Sequence, residues 1–371
     1  MLQILADNVI SHDPGRGAYF PSITPLSDGT LIGCQHVGSS LCSPDNTMEV
    51  LRSMDGGRTW SNEGGIHGGN LDDGWSYRLP LISETPSGEL IMMAGRFLLD
   101  NDEMYNPATE GVKPIEMLLY RSDDKGASWS DLEVVPAPLP KDRYVCCPTG
   151  QLIQLSPTRW MYPFECWKPD GYEGPVDQKA GAAFSADQGK TWDEFSIMAD
   201  DQVGSKTFGD PMNVRLPDGR LYTMAWTRTW GTDNDDDLNV HFVISEDEGR
   251  TWSEPEPTNI QGQLCGPIPL PDGRVAAVYN YRKKPEGVRV AVSTDLKNFD
   301  LENEVTVFDA HGETYTADAV DEFIDKHQKV AFGRPWGVAL SDTEILTWFW
   351  CTRAGVTHTR CVRVAVAPTA G

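Results

Sequence analysis

The sequence predicts an all-β chain that folds as one six-bladed β-propeller over residues 1–371. Three observations predict this fold. A turn motif recurs along the chain, a second motif precedes each copy, and no long helical pattern interrupts the series. Repeats at a period of some tens of residues are typical of modular folds, and the blades of a propeller are four-stranded sheets.

The first motif places Ser, Asp, Gly and Trp at fixed offsets. It first occurs as Ser53, Asp55, Gly57 and Trp60 in the stretch RSMDGGRTWS. The other copies begin at these serines: Ser122, Ser185, Ser245 and, in a copy without the glycine, Ser293. Each copy follows a short apolar run typical of a buried strand. Because Asp accepts hydrogen bonds from nearby backbone and Gly tolerates positive φ, we predict that each copy staples a hairpin and has a structural role.

The second motif is a Pro followed by an apolar run and a turn such as Asp-Gly or Ser-Gly. It occurs six times, and such turns between β-rich runs indicate hairpins. Together the two motifs predict six units of four strands. The opening stretch LQILADNVI is expected to pair with the last blade and close the ring, which protects an exposed edge. Residues 317–327 are the one candidate for a short helix.

Composition limits the classes of partner. A formal net charge of −24 argues against nucleic acid and anionic membranes as partners, and no apolar run is long enough to span a bilayer. The first residues lack a basic segment followed by an apolar one, so a cytoplasmic location is expected, or secretion if a signal was removed. The eight cysteines lack a CxxC pair and are expected to be reduced and buried. No metal motif or cofactor motif is present.

One face of the predicted propeller collects the starts of the first strands, the ends of the second strands and the links between blades. It also opens onto the central funnel. Arginines recur there, and their planar fork of donors suits a carboxylate or a sulfate. The candidates for substrate binding are Arg78, Arg96, Arg228, Arg282, Arg334 and Arg353. We therefore expect a small anionic ligand; the aromatic side chains described next make an anionic sugar or oligosaccharide the expected class.

Long loops on the same face bring aromatic and acidic side chains. Trp167 and Tyr105 could stack on sugar rings, and Asp102 and Asp100 could supply a general acid. The full set of catalytic candidates is Asp102, Asp100, Tyr19, Glu165, His36 and Asp210. Glu165 and Asp210 are the next candidates for the acid if the loop aspartates do not serve.

The staples resemble the Asp-boxes of the sialidase superfamily, and the resemblance covers the whole chain. It implies a sialidase-type propeller with an Arg-x-Pro motif, a loop Asp as acid/base and a Tyr nucleophile assisted by Glu. Arg78-Leu79-Pro80 is similar to that motif, with Asp100 and Asp102 following it. With the blades counted from the second, Arg282 and Arg334 or Arg353 resemble the remaining arginines, and Tyr19 occupies the place of the nucleophile. The first blade departs from the family pattern because Tyr19 stands where Arg is expected, and Tyr19 has no evident Glu partner.

Three functions remain open at this point. The first is an exo-acting glycoside hydrolase that removes a terminal anionic sugar, such as a sialic acid. The second is a lyase acting on uronic-acid-containing glycans, with His36 or a tyrosine such as Tyr19, Tyr105 or Tyr144 as base. The third is a non-catalytic glycan-binding propeller, because Asp-boxes specify fold rather than activity.

Overall fold

The computed structural model describes residues 2–68, 74–99, 104–106, 108–229, 237–311 and 331–368. The described part of the chain is all-β. Its first strands are β1 (Leu2–Ser11), β2 (Gly17–Pro25), β3 (Leu31–Gly38), β4 (Thr47–Ser53), β5 (Ser61–Gly68), β6 (Trp75–Glu84), β7 (Leu90–Leu98), β8 (Tyr105–Asn106), β9 (Gly111–Val112), β10 (Ile115–Ser122) and β11 (Glu133–Val135). The segment 317–327, predicted as a short helix, lies outside the described residues.

The second half continues the same pattern. Its strands are β12 (Val145–Pro148), β13 (Ile153–Gln154), β14 (Trp160–Trp167), β15 (Ala180–Ser185), β16 (Glu194–Ala199), β17 (Lys206–Arg215), β18 (Leu221–Thr229), β19 (His241–Ser245), β20 (Glu256–Pro257), β21 (Cys265–Pro269), β22 (Val275–Tyr281), β23 (Gly287–Ser293), β24 (Val305–Asp309), β25 (Phe332–Ser341), β26 (Glu344–Arg353) and β27 (Val356–Val366).

These strands form six antiparallel blades, as predicted. The blades are β2-β3-β4-β5, β6-β7-β10-β11, β12-β14-β15-β16 with β13 also paired to β14, β17-β18-β19-β20, β21-β22-β23-β24, and β25-β26-β27-β1. In the sixth blade β1 pairs with β27 from Leu2 opposite Val366 to Ser11 opposite Thr359. The two ends of the chain therefore close the ring in one sheet, which confirms the predicted pairing of the opening segment.

Apolar side chains fill the spaces between neighbouring blades. Between the fifth and sixth blades, Ile268, Val278, Phe332, Phe349 and Val362 are fully buried in one cluster. Burying an apolar side chain of this size contributes about 1.5–3 kcal/mol. All eight cysteines are buried and none is paired, as expected. In the described residues there is no helix with the length and hydropathy that crossing a bilayer requires.

The staples have the predicted hydrogen bonds. In the first copy the Ser53 hydroxyl donates to Asp55 over 2.9 Å and accepts from the backbone N–H of Gly57 over 2.8 Å. The Asp55 carboxylate also accepts from the N–H groups of Arg58 and Thr59, each at 2.9 Å. Gly57 has φ of 86°, a conformation that favours glycine. Because the staples join the third and fourth strands of a blade, they lie on the face opposite the funnel mouth.

The second motif has a structural consequence that the sequence pattern did not reveal. In four blades the residue before the Pro has positive φ, and the pairing of the first strand with the second shifts there. These residues are Phe20 (49°), Leu79 (57°), Asp210 (47°) and Arg334 (50°). A non-glycine residue in this region costs about 1–3 kcal/mol and persists only where its surroundings enforce it. Three of these residues, Phe20, Asp210 and Arg334, lie close together at the funnel floor.

Candidate active site

The floor of the funnel is crossed by Arg334. It begins in the sixth blade, yet its Nη1 lies 3.0 Å from the Asp210 carboxylate in the fourth blade. Its Nη2 also donates to the backbone carbonyl of Thr149 in the third blade. The third and sixth blades are opposite each other in the ring, so these contacts pass through the centre. Arg334 is 3% exposed, and it therefore closes the floor and holds Asp210.

Glu165 lies beside Asp210 and is held on both carboxylate oxygens. Oε1 accepts from the Trp167 indole N–H over 2.8 Å, while Oε2 accepts from the Asp210 backbone N–H over 2.7 Å. Gln178 donates to the same Oε2 over 3.2 Å. Gly209 allows this approach, because a Cβ there would lie 3.2 Å from Oε2. The side chain is therefore fixed in orientation as well as buried.

Burial makes both carboxyl groups harder to ionise. It raises the pKa of Glu165 to about 8, with the neighbouring Asp210 charge as the second cause. The pKa of Asp210 is also raised by burial, and the Arg334 guanidinium opposes that rise. The two groups differ in access as well, since the Asp210 side chain is 21% exposed whereas Glu165 is 4% exposed. The pair can hold one proton and one negative charge near neutral pH.

Arg78 sits above this floor in an unusual environment. Its Nη1 faces the Cys42 sulfur at 2.9 Å and the Met104 sulfur at 3.3 Å, and its guanidinium lies 4.6 Å from the centre of the Phe97 ring. The side chain is 5% exposed and Nε has no hydrogen-bond partner. Among the described residues, no carboxylate lies within 4 Å of this cation. A buried cation is costly without a counter-charge, and the described residues do not supply one to Arg78 by direct contact.

Phe20 joins the two arginines in one site. Its ring centre lies 5.7 Å from the Arg78 guanidinium and 5.8 Å from that of Arg334. Cys147 is buried in the same group, and its thiol pKa is raised by burial and by the charges of Glu165 and Asp210. Phe20, Cys147, Thr149 and Gln178 were not among the sequence candidates. Phe20 and Cys147 each directly precede the Pro of the second motif, so that Pro could have identified them from the sequence.

The other four candidate arginines do not join this cluster. Arg96 is paired with Glu116 at 2.5 Å, and Arg228 lies over Trp226. Arg282 donates to Gln263 and to the Phe332 carbonyl, and Arg353 donates to the Asp309 carbonyl. The last two contacts lie at the seam between the fifth and sixth blades. Burial lowers the pKa of Arg282 to about 9, so this cation is also poorly compensated.

Tyr19 and His36 are in the wall rather than at the floor. Tyr19 is 2% exposed, and its hydroxyl lies against Gly17 at the start of its own strand. The His36 ring stacks on Tyr19 and Phe20, with ring centres 5.4 and 5.3 Å apart. Burial, followed by the Arg78 charge, lowers the pKa of His36 well below its usual value. His36 is therefore neutral, and no exposed face is left to it because the residue is fully buried.

Two mouth loops are tied together by Asp170. Its carboxylate accepts from Asn106 at 2.9 Å, Thr109 at 2.7 Å and Lys113 at 2.7 Å. These hydrogen bonds, that from Lys113 first, lower the pKa of Asp170 to about 2. Tyr105 is buried in a hydrophobic cluster beneath these loops, and Trp167 packs against that cluster. Asp100 and Asp102, on the same second-blade loop, lie outside the described residues.

The arrangement can bind an anion and transfer a proton in one place. Arg78 supplies a cation with no carboxylate in contact among the described residues, and the Glu165–Asp210 pair supplies a protonated and an ionised carboxyl group. Among the described residues, no group of three or more His, Cys, Asp or Glu side chains is arranged to hold a metal ion. Two carboxyl groups of different pKa are the chemical elements of most glycoside hydrolases.

Comparison with known proteins shows that the chain belongs to a described protein family. A family model described as a BNR repeat-like domain matches residues 80–315. A curated sialidase from Paraclostridium sordellii is 30% identical over a stretch that covers 29% of this chain and 31% of that protein. The chain thus matches about a third of the length of this relative.

Solved structures share the propeller over nearly the whole chain. A protein of unknown function from Dyadobacter fermentans has a TM-score of 0.75 at 20% identity, covering 99% of both chains. An α-L-arabinanase from Penicillium chrysogenum, complexed with arabinobiose, has a TM-score of 0.67 at 13% identity over 98% of both chains. A Hadza microbial sialidase has a TM-score of 0.66 at 16% identity, covering 94% of this chain and 65% of that one. At these identities the likeness shows the fold.

Proposed function

Because this chain belongs to the BNR repeat-like domain family and is a sialidase-superfamily propeller, we propose that it is an exo-acting glycoside hydrolase. The substrate is a glycan with a terminal anionic sugar, sialic acid or a related acidic sugar, which binds in the central funnel. The observation that carries the proposal is Arg78, a buried cation with no carboxylate in contact among the described residues, in the same group as a pair of carboxyl groups.

Arg78 recognises the acidic group of the sugar. Its Cys42 and Met104 contacts hold the guanidinium in place without neutralising it. A ligand carboxylate supplies the missing charge and accepts two parallel hydrogen bonds from the fork. Such charge-assisted hydrogen bonds contribute about 1.5–3 kcal/mol each, which favours an acidic sugar over a neutral one by tenfold or more.

Glu165 acts as the general acid and Asp210 as the ionised partner. The high pKa of Glu165 keeps its proton at neutral pH, and Arg334 favours the charged form of Asp210. Glu165 donates its proton to the leaving oxygen, so the bond from the anomeric carbon to that oxygen breaks. Asp210, directly or through a water molecule that it deprotonates, supplies the electron pair at the anomeric carbon. Water completes the hydrolysis.

The loop aspartates remain a second proposal for the acid. Asp102, then Asp100, follow Arg78-Leu79-Pro80 on a mouth loop, as the resemblance to sialidases implies. The position of Tyr19, turned toward Gly17, gives less support to a tyrosine nucleophile. The lyase alternative is weakened in the same way, because His36 is fully buried behind Tyr19 and Phe20.

The test is a matched pair of substrates. Aryl glycosides of sialic acid and of uronic acids, each with a neutral counterpart that lacks the carboxylate, are assayed with the wild-type protein and with Arg78→Lys. We expect release of the acidic sugar, preference for the acidic member, and a loss of at least about tenfold in kcat/KM with Arg78→Lys, because lysine keeps the charge but loses the fork. Arg96→Lys is the matched control, since Glu116 already compensates Arg96.

Different outcomes separate the alternatives. Preference for the neutral glycoside overturns the role of Arg78 and points to neutral sugars of the kind named for the arabinanase neighbour. An unsaturated product indicates elimination rather than hydrolysis. Binding of the acidic sugar without any product supports the non-catalytic propeller.

A further inference from the structure

A second cleft lies on the mouth face, beside the funnel and on the third blade. It encloses about 510 Å³ between the segment before β12, the loop from β14 to β15, and the link that follows β16. That volume is within the range of about 300–1,000 Å³ typical of small-molecule sites. Its lining includes Arg143, Tyr144, Lys168, Tyr172 and Lys179. None of these residues belongs to the funnel site described above.

The carboxylates in this cleft are paired with donors, whereas two of its cations are not in contact with a carboxylate of the described residues. Asp177 accepts from the Tyr144 hydroxyl at 2.7 Å and lies 3.1 Å from Lys179. Asp200 lies 2.9 Å from the same Lys179, and Asp201 accepts from backbone N–H groups of its own loop. The carboxylates that line the cleft are thus occupied by donors within the protein.

Two other cations in the same cleft are less fully paired. Arg143 has a side-chain hydrogen bond with Tyr172 and a longer-range attraction to Asp177. Arg143 is exposed, and Lys168 is 9% exposed with its backbone carbonyl engaged by the N–H of Val112. No carboxylate of the described residues lies within 4 Å of either charged group. In a chain of net charge −24, cations without a carboxylate in direct contact are unexpected in a structural role. A buried lysine in particular is rarely left unpaired.

Two tyrosine rings accompany these cations. Tyr172 packs closely against Gly174, where a Cβ would overlap the ring, so the ring is held in position. Tyr144 is fixed by its hydrogen bond to Asp177, and the Arg143 guanidinium lies 5.5 Å from its ring centre. Rigid tyrosines that present an apolar face and a polar edge are suited to sugar rings, as at many recognition surfaces.

The cleft and the funnel share one wall. Trp167 and Gln178 hold Glu165 on the funnel side, whereas their chain neighbours Lys168 and Asp177 line the cleft. Successive side chains of extended backbone point to opposite sides. The cleft is therefore lined by the chain neighbours of the two side chains that hold Glu165.

We propose that this cleft is a second binding site for an acidic oligosaccharide, whose carboxylate or sulfate contacts Lys168 and Arg143 and whose rings lie on Tyr172 and Tyr144. The inference adds to the proposed function, because the same acidic glycans are involved. It does not depend on hydrolysis. Occupation of the cleft retains a long or multivalent glycan near the funnel and raises its effective concentration there.

The experiment measures binding when the funnel contact has been removed. In an Arg78→Met background, 3′-sialyllactose, trigalacturonate and lactose 3′-sulfate are titrated by NMR and calorimetry, with lactose as the neutral probe. We expect binding of at least one acidic probe and not of lactose. Lys168→Met and, separately, Arg143→Gln are expected to weaken that binding by about tenfold, the effect of losing one charge-assisted contact.

The controls distinguish this site from the funnel. Lys141→Gln removes an exposed cation two residues from Arg143 that does not line the cleft, and it should leave the affinity unchanged. Arg143 is exposed, so its variant is informative even if Lys168→Met fails to fold. Unchanged affinity in Arg143→Gln and in a folded Lys168→Met, or no binding of any acidic probe, overturns the inference. Absence of turnover with binding that depends on Lys168 overturns only the proposed activity.

Discussion

The staples and the funnel floor both depend on carboxyl groups, yet their environments shift the pKa in opposite directions. At the staples, hydrogen bonds from the Thr59 N–H and hydroxyl lower the pKa of Asp55 to about 2. The Ser128 hydroxyl and N–H do the same for Asp124. At the floor, burial raises the pKa of Glu165 to about 8, although three donors also contact it.

The comparison shows which physical effect decides the role of an acidic residue. A staple aspartate is near solvent, so several donors stabilise its charge at little desolvation cost. Glu165 is only 4% exposed, and the Arg334 guanidinium pairs with Asp210 rather than with Glu165. Desolvation therefore exceeds the effect of the hydrogen bonds. The first environment produces a structural anchor and the second a proton donor.

The largest expected difference between the two regions is in activity. Glu165→Gln should reduce kcat by about 10²–10⁴-fold on substrates with poor leaving groups, the usual contribution of a general acid. Aryl glycosides with good leaving groups should lose much less. Asp124→Asn makes the equivalent change at a staple and should retain activity.

The same assay tests the loop aspartates. If Asp102→Asn or Asp100→Asn shows the dependence on leaving group and Glu165→Gln does not, the acid lies on the second-blade loop. If Glu165→Gln is fully active on every substrate, the assignment of the floor carboxyls is wrong.

The pH dependence should sharpen the contrast. Because Glu165 must be protonated, kcat/KM should fall as pH rises through about 8, by about tenfold per pH unit beyond it.

The stability of the fold should also depend on the protonation of Glu165. Its folded pKa is above the unfolded value, so the folded state binds the extra proton and stability decreases as pH rises between about 4.5 and 8. Urea unfolding at several pH values should show a flatter slope over this range in Glu165→Gln. An unchanged slope and an unchanged basic limb would contradict the raised pKa.

A staple tryptophan should affect stability alone. Trp129 packs against the cluster between the first and second blades, and Trp129→Ala should cost about 1–3 kcal/mol of unfolding free energy. Thermal unfolding measures this loss, and affinity for the acidic sugar measured on the folded protein should not change. A stable Trp129→Ala protein that no longer binds would mean that the staples contribute to the site.

The smallest expected effect is that of one staple carboxylate. Asp124→Asn should lower the melting temperature at neutral pH, because the neutral amide accepts the Ser128 and Ser122 hydrogen bonds less strongly. The folded pKa of Asp124 is lowered, so its contribution is complete above the unfolded value of about 3.8 and is lost as pH falls through about 2. The difference between wild type and variant should therefore decrease from pH 7 to pH 3. A difference that grows on acidification would contradict this account.

The sequence by itself determined the blades, the staples and the closure of the ring. Each staple depends on residues within one turn, from Ser53 to Trp60 in the first copy, so local spacing was sufficient to identify it. The alternation of turns and apolar runs likewise fixed the order of strands, and the apolar start of the chain indicated its pairing with the last blade.

The tertiary structure alone decided the composition of the floor. Four of the six arginines were expected at second-strand ends and two at first-strand starts. Arg96 meets Glu116, Arg334 meets Asp210 from across the ring, and Arg78 meets sulfur atoms. These partners are separated by up to 124 residues, and spacing carries no information on which of them coincide at the centre. The pKa of Glu165 depends on that convergence, because desolvation is a property of the assembled funnel and not of the strand that carries the residue.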